Sequence, residues 1–313
     1  MGIPPPLDGG ILAIQDNRKE RKDKVKIKKG WYALFVVPIM IPFVVTVILP
    51  FFQGIRFAFV DWNGMSKSEK IYVGLQNFIN VFKDPEFMSS MGRTTVFTLV
   101  TVVLVNVLAL AFAVWVTSEI KFKNPGRAML FMPYLIGGLI LGYVWKYVLG
   151  QGMTLIAANT GNETLFFNWL SDPHYAFYAM IVVATWQMAG YMMVIYIAGL
   201  EAISCDVLEA SKIDGATSWK EFIHIKLPLL MPSITICLFL TLSNCFKIYD
   251  VNVSLTGGGP ASATEMISMN IYNEIFVKSN FGFGQAKAII FFLIVAVITF
   301  MQVRFTSSKE VEV

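Results

Sequence analysis

Long stretches without charged residues alternate with short polar segments along the 313-residue chain. A helix needs about 20 largely apolar residues to cross a lipid bilayer. Six stretches approach this length, and the pattern predicts a membrane-spanning helix in each of them: residues 31–52, 94–118, 128–149, 175–200, 227–250 and 284–303. We therefore expect an all-α, polytopic membrane protein.

Single residues refine this picture of the helices. Pro38, Pro42 and Pro50 predict kinks in the first helix, which a membrane tolerates where neighbours satisfy the freed backbone groups. Lys287 lies near the start of the sixth helix, and we expect its amine to snorkel to the membrane surface. The external stretch after the fifth helix carries Ile267, Ile271 and Ile275 at helical spacing, which predicts a short additional helix.

Two small motifs within the spans indicate close helix packing. Asn106 is a polar residue in the second predicted helix, and such residues commonly hydrogen-bond to a neighbouring helix. Gly138 and Gly142 form a GxxxG pair in the third, which lets a neighbouring backbone approach closely.

Composition agrees with a membrane protein and excludes several other classes. Charged residues make up 15% of the chain, against about 25% in soluble domains. The net charge of +4 gives no reason to expect a nucleic-acid partner. Cys205, Cys237 and Cys245 form no CxxC pair, and His174 and His224 are predicted on opposite sides of the membrane. We therefore expect no disulfide framework and no metal site.

Basic residues predict the orientation of the chain. Sixteen Lys and Arg residues fall on the side of the N-terminal tail and six on the opposite side. Because cytoplasmic loops carry the excess of Lys and Arg, both termini are predicted to be cytoplasmic. We divide the chain into a basic tail at 1–30, a transmembrane domain at 31–306 and a C-terminal tail at 307–313. The polar tail lacks the features of a cleaved signal peptide, so the first helix is expected to remain as an anchor.

The cytoplasmic segment 201–228 is unusually structured for a loop. Ser204 can cap a first short helix and Gly215 can end it in a left-handed conformation. Ser218 to Glu221 has the spacing of a capping box for a second helix, and Pro228 fits the first turn of the next membrane helix. The pair has apolar surface to bury: Val207, Leu208, Ile213, Trp219, Phe222 and Ile223. From these residues alone, insertion into a partner's groove and packing against the chain's own bundle remain equally open.

The same segment resembles the coupling loop of binding-protein-dependent ABC importer permeases. The signature of that family is Glu-Ala-Ala, three residues, Gly, nine residues, Ile, one residue, then Leu-Pro. Seven residues stand at this spacing: Glu209, Ala210, Ser211, Gly215, Ile225, Leu227 and Pro228. Asp214 and Ala216, on either side of Gly215, match the Asp-Gly-Ala sequence that is common in the family. Ser211 replaces the second alanine, and Ser204 stands where the family often has proline.

Further segments are similar to the carbohydrate branch of this family. They are residues 73–78, 246–250 and 255–260, so the resemblance covers roughly residues 31–306. The first external loop is too short for the large folded insert of some maltose-type subunits. The resemblance implies a bacterial inner-membrane protein that contacts lipid and pairs with a second, similar permease. Two cytoplasmic ATPase subunits would carry ATP and Mg²⁺, and an external solute-binding protein would deliver a sugar or oligosaccharide.

The resemblance also implies roles for particular residues. The coupling loop would lie in a cleft of one ATPase subunit, with Glu209 as a charged contact and Gly215 as the tight turn. ATP-driven closure of the ATPase pair would then switch the helices between inward-facing and outward-facing packing. The glycine-rich stretch Gly257, Gly258, Gly259 and Pro260 lacks the GK[ST] ending of a P-loop and is predicted to be external. We expect it to contact the binding protein, and expect no cofactor on this chain.

Polar and aromatic residues in two predicted helices are candidates for a substrate path or gate. They are Asn244, Lys247, Tyr249 and Asp250 in the fifth helix, and Trp186, Gln187 and Tyr191 in the fourth. Asn244 and Lys247 are three residues apart and share a helix face. Two alternatives remain: Lys247 and Asp250 can form an internal ion pair, and the aromatic residues can serve only packing.

Two other classes of function are less well supported. An ion-gradient-driven secondary transporter is expected to show paired acidic residues at mid-membrane and an internal inverted repeat, and we find neither in the sequence. A membrane enzyme would need a nucleophile or an acid–base cluster, and no such arrangement is present in the sequence. We therefore predict a transport subunit that performs no chemistry on its substrate.

Overall fold

A computed structural model describes residues 29–118, 123–162 and 166–309, with side chains from residue 34 onward. The predicted basic tail lies almost wholly outside the described residues, as do positions 119–122 and 310–313. The chain divides between Gly54 and Ile55 into two units. Nearly all of the described chain is helical, as predicted.

The described part of the first unit is helical and begins with helix α1 (Lys29–Phe43). A wider π-helical turn, Val44–Ile48, follows it, and helix α2 (Leu49–Ala58) continues into the second unit. The turn lies between Pro42 and Pro50, at a place where the prolines predict an interruption of the helix. Leu34–Ala58 is long and apolar enough to span a membrane. Its apolar side chains are almost all exposed within this chain, so they require cover from lipid or another protein.

The second unit opens with a small antiparallel hairpin, β1 (Val60–Asp61) and β2 (Ile71–Tyr72). Helix α3 (Gln76–Lys83) follows it. The buried Asn77 amide of α3 donates to the carbonyls of Ala58 and Val60 at 3.0 and 3.1 Å, which fixes α3 against the hairpin.

Two long helices form the centre of the bundle. They are α4 (Pro85–Thr117) and α8 (Pro173–Glu201), each preceded by an aspartate that caps its first turn. Helix α4 begins nine residues before the predicted start at Thr94, because its first turns carry polar residues that hide the helix from a hydropathy pattern. Helix α8 is the most deeply buried of the candidate spans.

The third predicted span, 128–149, is misplaced. The structure has α5 (Lys123–Leu135), a break at residues 136–137, and then α6 (Gly138–Tyr147). A π-helical turn and α7 (Met153–Thr160) extend α6 to give the candidate span Gly138–Thr160. A proline near the end of α5 and the two glycines after it favour the break, whereas the polar residues from 150 onward resemble a loop.

The fifth predicted span, 227–250, is also shorter than expected. Helix α9 (Cys205–Ile213) and helix α10 (Ser218–Glu221) lie in the segment before it, and α11 (Leu227–Leu229) contains Pro228. The chain then bends by 68° into α12 (Met231–Phe246). Pro228 therefore precedes the bend, and Pro232 is the proline in the first turn of the membrane helix. Counting this bent pair as one span gives six candidate spans among the described residues.

The last part of the unit contains the predicted short helix and the final span. A π-helical turn, Asn252–Thr256, leads through a loop to α13 (Ile267–Tyr272), which confirms the helix predicted from the isoleucine spacing. A further π-helical turn, Asn273–Val277, precedes α14 (Phe281–Ser307). This sixth span starts three residues earlier and ends four residues later than predicted.

The prediction that Lys287 snorkels to the membrane surface is wrong. Its side chain is fully buried, and its Nζ forms ion pairs with Asp84 at 2.6 Å and Glu274 at 2.7 Å. It also donates to Asn270 at 3.2 Å. The amine is therefore satisfied inside the protein, where it joins the first turn of α4, helix α13 and helix α14.

The GxxxG pair packs closely against the chain, as predicted. A Cβ atom at Gly138 would lie 2.9 Å from that of Asp250, and one at Gly142 would overlap Ser254. Helix α6 therefore lies directly against the segment that follows α12, and a larger residue at Gly142 has no room.

Asn106 connects three helices, which confirms its predicted packing role. Its side-chain oxygen accepts a hydrogen bond from Tyr196 of α8 at 2.8 Å, and its amide lies 3.4 Å from the Thr241 hydroxyl of α12. Tyr196 is 1% exposed, so this contact lies in the core.

Removing the Tyr196 hydroxyl is expected to destabilise the bundle modestly. Tyr196→Phe leaves the Asn106 oxygen without its donor, and interhelical hydrogen bonds in membranes contribute about 1 kcal/mol. We expect a lower thermal midpoint for the purified subunit in detergent. Tyr178→Phe on the same helix is the matched control, because Tyr178 is exposed and should lose nothing measurable. Equal midpoints for both variants would contradict this assignment.

Candidate functional site

A cavity of about 300 Å³ lies where α6 and α8 meet the end of α12. Five of the predicted substrate-path residues line it: Gln187, Asn244, Lys247, Tyr249 and Asp250. Residues from two separate predicted helices are thus brought to one place, where they present amide, amine, phenol and carboxylate groups to the same space.

The end of helix α12 produces this arrangement. Lys247 is the residue at its C-terminal cap, and the chain becomes helical again only at Asp250. Asn244, on the last turn of α12, and Lys247 are both exposed to solvent in this subunit. In the described part of the chain, no ion pair joins Lys247 to Asp250. Both charged groups are therefore available to a solute in the cavity.

Gln187 is held in place by the break between α5 and α6. Its amide nitrogen donates to the carbonyl of Ile136 at 3.1 Å. This carbonyl follows the last turn of α5, and an unpaired carbonyl is costly in a membrane domain. Gln187 thus satisfies a backbone carbonyl at the break and also contributes to the cavity wall.

The two remaining substrate-path candidates do not line the cavity. Trp186 lines a separate apolar pocket between α4 and α8, and its ring makes an edge contact with Trp145. Tyr191 stacks on Tyr134, with ring centroids 4.3 Å apart and planes within 6°. Tyr134 itself lines the cavity, so Tyr191 supports an aromatic wall from behind.

Several residues of the cavity wall are not among those predicted from the sequence. Tyr134, Gly138, Ala184 and Met188 line it beside the predicted residues. Tyr134 directly follows Pro133. A proline followed closely by two glycines indicates a helix break, and the side chains near a break change direction.

The glycine-rich stretch forms a tight, hydrogen-bonded loop. Gly257 and Gly258 have φ angles of 61° and 82°, which favour glycine, and Gly258 is buried against Met269. The Thr264 hydroxyl donates to the carbonyl of Gly259 at 2.7 Å. Of the four predicted contact residues, Gly257 is exposed, whereas Gly259 and Pro260 are half-buried.

Segment 201–228 folds into short helices joined by a left-handed turn. Ser204 caps α9 as predicted, through a 3.3 Å hydrogen bond from the Asp206 amide. Gly215 has φ 75°, and the amides of Gly215 and Ala216 bond to the carbonyls of Lys212 and Ser211. This pattern is a Schellman motif, which satisfies the last carbonyls of α9.

The start of the second short helix differs from the predicted capping box. Thr217, not Ser218, is the cap residue, and its hydroxyl accepts from the amide of Lys220. Glu221 is buried and pairs with Lys226 at 2.7 Å, so its carboxylate stabilises the following π-helical turn, Phe222–Lys226, and does not complete the box.

The signature residues of this segment fall into two groups. Glu209, Ala210, Asp214 and Gly215 are exposed, whereas Ser211 is buried and Ala216, Ile225, Leu227 and Pro228 are half-buried. The apolar side chains beside the exposed group remain uncovered, with Ile213 85% and Trp219 70% exposed. This surface favours a partner over packing against the chain's own bundle.

Residues 126–310 match the family model described as binding-protein-dependent transport system inner membrane component. The chain belongs to this family, and it is a permease subunit of an ABC importer. The predicted class, transport without chemistry on the solute, is therefore confirmed.

Curated relatives resemble the chain over nearly its whole length. It is 43% identical to the probable starch degradation products transport system permease protein AmyD of Thermoanaerobacterium thermosulfurigenes, across 90% of this chain and 96% of the relative. It is 31% identical to the trehalose/maltose transport system permease protein MalF of Thermococcus litoralis, across 92% and 97% of the two chains.

A solved structure shares the fold. A chain from a bacterial ABC transporter involved in the import of the acidic polysaccharide alginate superposes with a TM-score of 0.77. The match covers 95% of this chain and 99% of the other at 18% sequence identity. It confirms the predicted permease fold.

Proposed function

We propose that this chain forms, with a second permease subunit, the membrane pathway for a sugar or oligosaccharide. The observation that carries the proposal is the cavity in which Gln187, Asn244, Lys247 and Asp250 converge beside the Tyr134 and Tyr249 rings. Sugars present many hydroxyl groups and also apolar ring faces, and this wall offers partners for both. The names of the relatives, which refer to starch products, trehalose and maltose, support the same substrate class.

Segment 201–228 is proposed as the contact with a separate ATPase subunit. Its exposed group of signature residues lies beside the uncovered Ile213 and Trp219 side chains, which fit a groove on a partner. Glu209 is exposed and free to meet a basic residue there. ATP and Mg²⁺ would bind to the two ATPase subunits, and this chain would transmit their closure to α12 through the 68° bend.

The excess of basic residues supports a cytoplasmic position for segment 201–228 and for both termini. The cavity would then receive its solute from the opposite side, where a solute-binding protein delivers it. The loop containing Gly257 and Pro260 is proposed as part of the surface that meets this protein. The membrane would be the bacterial inner membrane.

Truncation of the polar cavity residues tests the pathway. Asn244→Ala combined with Asp250→Ala is expected to lower solute uptake about tenfold or more, because each hydrogen bond to the solute contributes about 1 kcal/mol. Uptake is measured in cells that express the complete importer, with the abundance of the subunit in the membrane as a check on folding. Lys146→Ala is the matched control, because Lys146 lines a different pocket.

Two results would contradict this proposal. Unchanged uptake by the double variant would remove the cavity from the pathway. Uptake by the purified chain alone, driven by an ion gradient, would instead support a secondary transporter.

A further inference from the structure

We infer that Tyr249, Tyr272 and Phe276 form an aromatic row that holds sugar rings of an oligosaccharide outside the cavity. The row would make the permease selective for chain length as well as for sugar type. This inference rests on the proposed function of the cavity as the solute pathway.

The three rings are in contact and lead away from the cavity. Tyr249 lines the cavity, and its ring centroid lies 5.3 Å from that of Tyr272. The Tyr272 ring lies 4.8 Å from the ring of Phe276. These steps are comparable with the spacing of successive sugar rings in an extended glycan, so consecutive rings of a bound chain can each meet an aromatic side chain.

Exposure increases along the row. Tyr249 is half-buried, Tyr272 is 43% exposed and Phe276 is 64% exposed. The row therefore begins at the cavity wall and ends at the surface. A solute that fills the cavity can extend over Tyr272 and Phe276 only if it contains further sugar units.

Hydrogen bonds hold helix α13, which carries Tyr272 and continues directly into the π-helical turn Asn273–Val277 that carries Phe276. The amide of Ile267, at the start of α13, donates to the Thr94 hydroxyl of α4 at 2.9 Å. Asn270 of α13 accepts a hydrogen bond from the buried Lys287 amine of α14. Because α13 is fixed to two long helices, Tyr272 and the adjoining turn that carries Phe276 form a rigid surface that loses little entropy when a solute binds.

The cavity has a second aromatic wall. Tyr134 lines the cavity and stacks on Tyr191, with centroids 4.3 Å apart. Polar residues, including Asn244 and Lys247, line the same space. Aromatic faces beside polar groups suit a sugar, whose ring has apolar C–H faces and polar edges. Aromatic residues that contact only lipid would not be expected to line a polar cavity as well.

The experiment compares oligosaccharides of different length. Tyr272→Ala with Phe276→Ala is made in the complete importer, reconstituted with its solute-binding protein and ATPase subunits. Uptake of maltose, maltotriose and maltohexaose, the probes used, is measured with each protein. We expect the double variant to take up maltohexaose about tenfold less efficiently, because both aromatic contacts with its outer sugar units are lost, while maltose uptake changes by less than about twofold.

Two controls separate loss of the rings from general damage. Tyr272→Phe keeps the ring and should transport all three probes normally. Val277→Ala removes an exposed apolar side chain next to Phe276 and should also have no length-dependent effect.

Three outcomes would overturn the inference. An equal loss for all three probes would indicate a structural role for the two rings. No loss for any probe would indicate that lipid or the second permease covers them. If the wild-type importer takes up maltose but neither maltotriose nor maltohexaose, no transported solute reaches the outer rings and the inference fails. Failure of the proposed function is distinguishable, since it would appear as normal maltose uptake by the Asn244 and Asp250 double variant.

Discussion

Replacing Lys287 with methionine is expected to prevent accumulation of the folded subunit in the membrane. The substitution removes the buried cation between Asp84 and Glu274. Asp84 would keep its backbone-amide hydrogen bonds, and Glu274 would keep the Asn280 amide and the more distant, half-exposed Lys278 amine, but the fully buried positive charge between the two carboxylates would be lost. Breaking a buried ion pair in this way costs about 3–5 kcal/mol, against a total stability of about 5–15 kcal/mol for ordinary domains. The abundance of the subunit in isolated membranes measures the effect.

The ionisation of Asp84 supports this expectation. Burial acts to raise the pKa of Asp84, but the hydrogen bond and charge of Lys287, with the backbone amides of Glu86 and Phe87, hold that pKa below its ordinary value. The carboxylate is therefore charged at neutral pH and depends on the lysine.

Neutral replacements of the acids provide the control for this prediction. Lys287→Met combined with Asp84→Asn and Glu274→Gln should restore much of the abundance, because no uncompensated charge remains. Lys278→Met should have a smaller effect, since Lys278 is half exposed, its contact with Glu86 lies at the surface, and its 3.4 Å contact with Glu274 is longer than the 2.7 Å contact of Lys287. Full abundance of the Lys287→Met single variant would show that the ion cluster is not required for folding.

The apolar runs were sufficient to predict the number of spans but not the environment of each residue. Among the described residues five helices qualify as spans, or six when the bent pair is counted as one, which agrees with the six predicted stretches because the bilayer thickness fixes the length that a helix needs. Lys287 was misplaced because its partner Asp84 lies two hundred positions earlier in the sequence. Hydropathy reports only that a charge lies near a helix end, and it does not show which element covers that end.

The candidate site was predictable where it depends on one local segment. Asn244, Lys247, Tyr249 and Asp250 lie within seven residues, so a single change of backbone direction brings them to one cavity. Trp186 lies outside this cavity although it is adjacent to Gln187, because neighbours on a helix point about 100° apart. Tyr134 was missed because its position depends on how the break after α5 packs against α8.

Gly215→Val is expected to abolish uptake while leaving the subunit in the membrane. A valine at φ 75° is strained by about 1–2 kcal/mol, which a whole membrane domain tolerates. Apart from its two chain neighbours, no described residue lies within 4 Å of a Cβ atom at Gly215, so the described part of the subunit offers no clash with it. A loss of uptake would therefore arise at a partner that approaches this turn. Uptake by the complete importer and retention of the ATPase subunits after solubilisation measure the effect.

Gly161→Val is the matched control for this experiment. Gly161 ends helix α7 with φ 67°, and a Cβ atom there also meets no other described residue within 4 Å. The two valines thus impose nearly the same backbone strain, but only Gly215 lies in segment 201–228. Loss of uptake in both variants would attribute the effect to strain, and normal uptake in both would exclude this turn from the ATPase contact. If only Gly215→Val loses uptake, and it also loses the ATPase subunits after solubilisation, then the left-handed turn itself must lie against the partner. Glu209→Lys should then give the same loss, because it reverses the charge at the neighbouring exposed position.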